Sequence, residues 1–184
     1  MSTELAAKRL QMMRELVPQS KSTSLLAFDN AFATPLLINA MQAASQQFQL
    51  DLVVQLVKTD DDLPRAFAGF EKARAGTLVV QTSPFAAARR ERIAELAARH
   101  RLPAMYEVPA YVDAGGLIAY GPEGVEAIRR SAAFVDKILK GAKAGDLPIE
   151  QPTKYTLAIN LKAAQALGLV IPPSLLLRAD AVSR

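Results

Sequence analysis

Three features of the chain predict an α/β fold in which a parallel sheet is covered by helices on both faces. Apolar runs of strand length, SLLAFDN, LDLVVQLV, GTLVVQ and PAMYEV, alternate with segments of helical spacing. The runs are continuously apolar, as strands buried on both faces must be, whereas a face open to water would impose polar alternation. Each helical segment opens on a capping signal and leads to the next strand, which is the rhythm of βα units. Residues 1–120 are expected to form this α/β lobe. Residues 121–184 are expected to add a crossover helix, a strand and short helices belonging to the same compact unit.

Leu5, Met12, Met13 and Leu16 fall at helical spacing and Pro18 closes the segment, so residues 3–16 are predicted to be an amphipathic helix. SLLAFDN is a strand that ends in polar turn residues. FATPLLINAMQAASQQFQ then reads as a helix with Thr34 at its cap and Pro35 at its first position. After the strand LDLVVQLV, TDDDLPRAFAGFEKARA starts on acidic capping residues and places Leu63, Phe67 and Phe70 on one face, and Gly76 ends it. GTLVVQ is the third strand. SPFAAARRERIAELAARHRL is read as one helix capped by Ser83 with Pro84 behind it, and PAMYEV follows as the fourth strand. LIAYG is a fifth strand candidate, and GPEGVEAIRRSAAFVDKILKGA is a long helix carrying Val125, Ile128, Ala132, Val135 and Leu139 on one face. A loop, the strand YTLAIN, the helix LKAAQALG and a short helix after Pro172-Pro173 complete the chain.

Composition narrows the function classes. The 22 Lys and Arg against 18 Asp and Glu give a formal charge of +4, but the basic residues are spread along helices and read as a solvated surface. Aromatic-interleaved basic runs are absent and aromatic content is only 6%, so no nucleic-acid partner is expected. The chain has no cysteine, which excludes disulfides, thiolate metal sites and cysteine nucleophiles. The first residues carry Glu4, Lys8, Arg9, Arg14 and Glu15 where a signal peptide needs an unbroken apolar segment, so the chain as it stands is expected not to be exported. No stretch reaches the roughly 20 apolar residues needed to span a bilayer, and the chain is expected to be soluble.

Catalytic motifs are equally scarce. None of the nine glycines forms GxGxxG or the Walker pattern. The single histidine, His100, ends a predicted helix, where its imidazolium suits the helix dipole. Without a second histidine or a cysteine at ligand spacing no zinc site is expected at it, and no GxSxG elbow presents a serine to it. Asp60, Asp61 and Asp62 open a helix, where capping of free amides is favoured over cation binding. No catalytic residue, metal or cofactor is therefore expected.

Recognition fits the residues better than catalysis. In open α/β sheets ligands bind beyond the carboxyl ends of the strands. Asp29 and Asn30 follow the first strand, with turning the chain and bonding a ligand both open. Thr82 and Ser83 precede a helix whose first amides suit an anion, with plain capping by Ser83 the other reading. Tyr106, Glu107 and Tyr111 follow the fourth strand, and Gly115-Gly116 permits a tight turn. Aromatic ring, carboxylate and flexible backbone together suit a small polar ligand such as an amino acid; packing of both tyrosines beneath the loop is the alternative.

The ordered segments KRLQMMRELVP (8–18), RRERIAELAARHRLPAMY (89–106), DAGGLIAYGP (113–122) and DKILKGAKAGDLPIEQPTKYTLAINLKAAQALGLVIPPSLLLRAD (136–180) resemble the substrate-binding proteins of ABC transporters, in the group related to tryptophan/tyrosine-binding lipoproteins. The resemblance covers nearly the whole chain. It implies a periplasmic-binding-protein-like (type I) fold, in which two α/β lobes close over a solute, with this chain forming the second lobe and the crossover tail. By the same resemblance Asp29, Asn30, Phe32, Thr82, Ser83, Tyr106 and Glu107 line the cleft. The family's segment after the first strand is richer in Asn and Pro than DNAFATP here, which leaves the solute's identity open. The implied partners are a small organic solute, with amino acids among the candidates, and, for a full-length parent, a transporter permease. Family members carry a signal peptide and a first lobe ahead of STELAAKRL, so the parent is expected in the periplasm or anchored outside the membrane, and a native start at Met1 would make the chain cytoplasmic. The helix over 122–141 would then lack its first-lobe partner and is expected to form a homodimer. A self-associating sensor or interaction module is the alternative function.

Overall fold

The computed structural model describes residues 3–29, 33–148, 150 and 152–184, with backbone alone for 3, 4 and 125–127. Its helices are α1 (Thr3–Leu16), α2 (Ala33–Gln47), α3 (Asp62–Lys72), α4 (Pro84–Ala88), α5 (Arg90–Arg99), α6 (Ala110–Asp113), α7 (Gly124–Leu139), α8 (Leu161–Ala166) and α9 (Pro173–Leu176). The strands are β1 (Ser22–Phe28), β2 (Asp51–Val57), β3 (Leu78–Val80), β4 (Ala104–Tyr106), β5 (Ile118–Pro122), β6 (Tyr155–Asn160) and β7 (Ala181–Ser183). They form one sheet in the order β2-β1-β3-β4-β5-β6-β7. From β1 to β5 the pairing is parallel; β6 runs antiparallel to β5, and β7 parallel to β6.

Strand alternation divides the core into two layers, as a sheet covered on both faces requires. On one face Leu25, Ala27, Val79, Met105 and Ile118 pack under Leu10 and Met13 of α1 and Leu37 and Met41 of α2. On the other, Leu26, Phe28, Leu78 and Val80 meet Leu63, Phe67 and Phe70 of α3 and Ile93 of α5. Burying a side chain of this size contributes about 1.5–3 kcal/mol, so the two layers carry most of the fold's stability.

Beyond Pro122 the chain leaves the sheet and returns at Tyr155, residues that face each other in the β5–β6 register. The amide of Glu123 donates to the Lys154 carbonyl at 3.1 Å, so departure and return form a two-stranded neck. The helix between them, α7, leaves Ile128, Val135, Ile138 and Leu139 exposed, the last by 82%. Val125, expected on the same face, has its side chain outside the described residues.

Three local expectations are corrected. Thr34 does not cap α2 but lies inside it, because its hydroxyl donates back to the Phe28 carbonyl at 2.5 Å. The helix expected over 83–102 breaks at Arg89, whose backbone leaves the helical region (φ −119°, ψ 17°) while its guanidinium pairs with Asp60. The terminal strand β7 was not anticipated; the Asp180 carboxylate just before it accepts the Leu157 amide at 2.8 Å and holds the tail against β6.

Candidate functional site

The five parallel strands end along one edge, and the polar groups just beyond them are anchored from below. Gln81, buried at the end of β3, accepts the Phe28 amide at 2.7 Å and donates to the Thr34 hydroxyl at 3.2 Å. This ties the ends of β1 and β3 to the start of α2 and frames Asp29, whose carboxylate lies 3.4 Å from Lys58 Nζ with both side chains exposed. Asn30 and Phe32 lie outside the described residues.

Thr82 follows Gln81 with its hydroxyl oxygen buried and without a hydrogen-bond partner among the described residues. Ser83 is the N-cap of α4: its Oγ accepts the Ala86 amide at 3.1 Å, and Pro84 holds the first turn. With α4 only five residues long, capping is the use the geometry displays for Ser83. Phe85 adds an aromatic surface at this edge, its ring 5.6 Å from that of Phe28 and 3.7 Å beneath the Arg89 guanidinium. Arg89 in turn grips both carboxylate oxygens of Asp60, the Nη2–Oδ2 bond being 2.8 Å, which holds the Asp60 carboxyl below its ordinary range.

The aspartate cluster is thus divided among separate tasks. Asp62 accepts the amides of Lys58 and Thr59 at 3.1 and 2.9 Å and the Thr59 hydroxyl at 3.0 Å, and these bonds lower its pKa. Its Oδ2 therefore serves the preceding loop, while Oδ1 lies 3.7 Å from Arg65 Nη1 of the helix it begins. Among the described residues no group of three His, Cys, Asp or Glu is placed to hold a metal ion. His100, at the end of α5, lies 2.9 Å from Glu71 and stacks on Phe67, away from this edge.

After β4 the two neighbouring candidates point opposite ways. Tyr106 faces the α5 layer with no exposed surface, and its ring stacks on Tyr111 at 4.7 Å. Both hydroxyls are buried without partners among the described residues, and desolvation pushes the Tyr111 phenol up to about 12 and raises Tyr106 as well. Gly116 permits this packing, since a Cβ there would lie 2.6 Å from the Tyr106 ring. Tyr106 is consequently a core residue in this structure, as strand alternation dictates, while Glu107 emerges at the carboxyl edge.

Glu107 is fixed by a residue that charge distribution alone misassigns. Arg9 on α1, expected among the solvated basic residues, is 1% exposed. Its Nη1 donates to Glu107 Oε1 at 3.0 Å and its Nε to the Tyr120 carbonyl at 2.9 Å. Burial lowers the Arg9 pKa and the Glu107 carboxylate opposes that shift. The sequence does carry a signal: Arg9 sits three residues after Ala6 and four before Met13, inside the apolar stripe of α1. Gln81, Phe85 and Arg89 were likewise missed, each being recognisable only once the strand ends are assembled. A groove of about 320 Å³ runs between α5 and α8, lined by Tyr106, Leu117 and Asn160 together with Ala94, Ala98 and Ala163.

A mostly parallel sheet, helices on both faces and polar groups gathered beyond the strand ends define a periplasmic-binding-protein-like lobe. The family described as ABC transporter substrate binding protein matches residues 2–183, and the chain belongs to that family. Among solved structures, it superposes on a conserved domain protein from Vibrio cholerae with a TM-score of 0.90 at 20% identity, covering 97% of this chain and 60% of that one. An ABC domain in complex with L-Trp from Streptococcus pneumoniae gives 0.88 at 20% identity, with 96% and 60% covered. A ligand-free, open substrate-binding protein with adhesive properties from Clostridium difficile gives 0.73 at 16% identity, with 100% and 60% covered. The chain therefore spans about 60% of the length of these structures. No curated protein matches it in sequence. Among the described residues no helix is long and apolar enough to cross a membrane.

Proposed function

We propose that this chain supplies one wall of the solute site in an ABC importer's substrate-binding protein, and that the solute is an aromatic amino acid. The reading rests on Thr82 and Phe85 following β3 and Glu107 following its neighbour β4, on the carboxyl side of the sheet. A carboxylate accepts an ammonium group, a hydroxyl bonds a polar solute, and an aromatic face stacks on another ring. Asp29 and Ser83 flank them, and Tyr106 supports the wall from the core. The L-Trp complex of the pneumococcal relative supports an amino acid as the solute class. No residue here acts as a catalyst in this reading: the wall recognises, and closure of a second lobe about the neck at Gly121–Glu123 and Lys154–Tyr155 completes the site. The parent protein works outside the cytoplasmic membrane and delivers its solute to a permease. Thermal-shift and calorimetric titration of this chain and of a two-lobe parent with the twenty amino acids test the proposal. A parent that responds to none of them loses the amino-acid assignment.

A second reading rests on the exposed Ile128, Val135, Ile138 and Leu139 of α7. Two copies would cover these faces against each other, giving a homodimer that acts as an interaction module. Light scattering decides it: a monomer at all concentrations, unchanged by Leu139→Asp, removes this reading.

A further inference from the structure

We propose that Arg9 is the positioning residue of the solute site, holding Glu107 so that its second carboxylate oxygen is a fixed acceptor for the ammonium group of the bound amino acid. The proposal rests on the amino-acid reading above and adds the group that makes it selective.

Asp29, Asp60 and Glu107, acidic side chains near this edge, are each paired with a cation, and these pairs differ in one respect. Asp29–Lys58 and Asp60–Arg89 lie among exposed or half-exposed side chains, whereas Arg9 is 1% exposed and Glu107 19%. An exposed pair breaks and reforms at little cost. A buried arginine cannot swing away, because it would leave an uncompensated charge in the core. Glu107 is therefore the carboxylate of the three whose position is dictated by the interior.

The clamp leaves one oxygen in reserve. Oε1 receives Arg9 Nη1, while Oε2 takes no hydrogen bond among the described residues. The guanidinium simultaneously donates through Nε to Tyr120, and Gly121 next to it would place a Cβ 1.8 Å from the Glu107 carbonyl oxygen. The backbone and the carboxylate of Glu107 are thus held by the same few atoms. A planar fork that donates in two directions is required, and a lysine ammonium at this position reproduces the charge but not the geometry. Preorganisation of this kind is what gives one hydrogen bond its discriminating power.

The test compares L-tryptophan with 3-(indol-3-yl)propanoate, which lacks the ammonium group, by NMR titration of this chain so that weak binding is readable. Arg9→Met is expected to weaken L-tryptophan by about tenfold or more while changing the propanoate less than about twofold, with Arg9→Lys intermediate. Because Arg9 acts through Glu107, the double variant Arg9→Met/Glu107→Gln is expected to bind no more weakly than Glu107→Gln alone. Equal loss for both probes, additive losses in the double variant, or wild-type affinity in Arg9→Met overturns the positioning role while leaving the solute reading intact. Wild-type chain that binds neither probe overturns this proposal, and a two-lobe parent that also binds no amino acid removes the solute reading with it. Should Arg9→Met fail to fold, Arg9→Lys and Glu107→Gln carry the comparison, and Glu107→Gln must lose L-tryptophan selectively.

Discussion

The rings of Tyr106 and Tyr111 stack at 4.7 Å and 13°, and neither hydroxyl has a hydrogen-bond partner among the described residues although both are buried. Each unsatisfied hydroxyl costs about 1–3 kcal/mol. Removing one while keeping the ring should therefore stabilise the protein. Tyr111→Phe is expected to raise the free energy of unfolding by about 1 kcal/mol, read from urea denaturation. A loss of stability would mean that the hydroxyl has a bond the structure lacks.

The same pair sets a limit at alkaline pH. Both phenols titrate above their ordinary value in the folded protein because burial disfavours the phenolate, Tyr111 at about 12. In the unfolded chain they ionise near 10. Between those values the folded state holds more protons than the unfolded one, so stability falls as pH rises. Below about pH 10 the contribution is fully present; it is lost through about 12. Melting curves at increasing pH should show this decline, and Tyr111→Phe should reduce it. A variant with the wild-type slope would move the origin elsewhere.

How much of this was legible in the residues depended on whether neighbours along the chain or across the fold decide the outcome. The first five strands stand out as apolar runs, and the helices that follow carry Leu63, Phe67 and Ile93 at helical spacing, so local pattern suffices to place them; but β2, expected buried on both faces, ends the strand order and leaves Leu56 45% exposed. Arg89 ends α4 through Asp60, a residue 29 positions away, and nothing in AAARRERIAEL marks that break. β7 has three exposed residues and no alternation to read. At the candidate site, which residues follow the strand ends was readable, but which way they point was not. In a strand buried on both faces, apolar character does not tell Met105 from Tyr106, and only the assembled layers send Tyr106 inward and leave Glu107 at the edge. Arg9 was hidden by its own charge, although its place in the stripe of α1 pointed inward.

Gly121 should tolerate no side chain. A Cβ at this position would fall 1.8 Å from the Glu107 carbonyl oxygen and 3.5 Å from Arg9 Nη2, and the former is backbone that cannot step aside. Gly121→Ala is expected to cost about 1–3 kcal/mol, the usual range for overpacking, and to displace Glu107. Gly145→Ala, with open space around its Cβ, is the control and should be near neutral. Equal stability of the two variants by denaturation would contradict the close approach of β5 to the loop after β4.

Gln81 links what Asp29 needs in order to stay where it is. Its amide oxygen takes the Phe28 amide proton and its nitrogen reaches Thr34, which itself bonds the Phe28 carbonyl. Gln81→Met keeps the length and burial of the side chain but leaves the Phe28 amide without an acceptor, at an expected cost of about 1–3 kcal/mol. Thr34→Val removes the hydroxyl from the other side. Since both changes break one network, the double variant should lose less than the sum of the single losses, by about 0.5 kcal/mol or more. Additive losses would show that Gln81 and Thr34 act separately, and the β1–α2 junction would then have to be held by the strands alone.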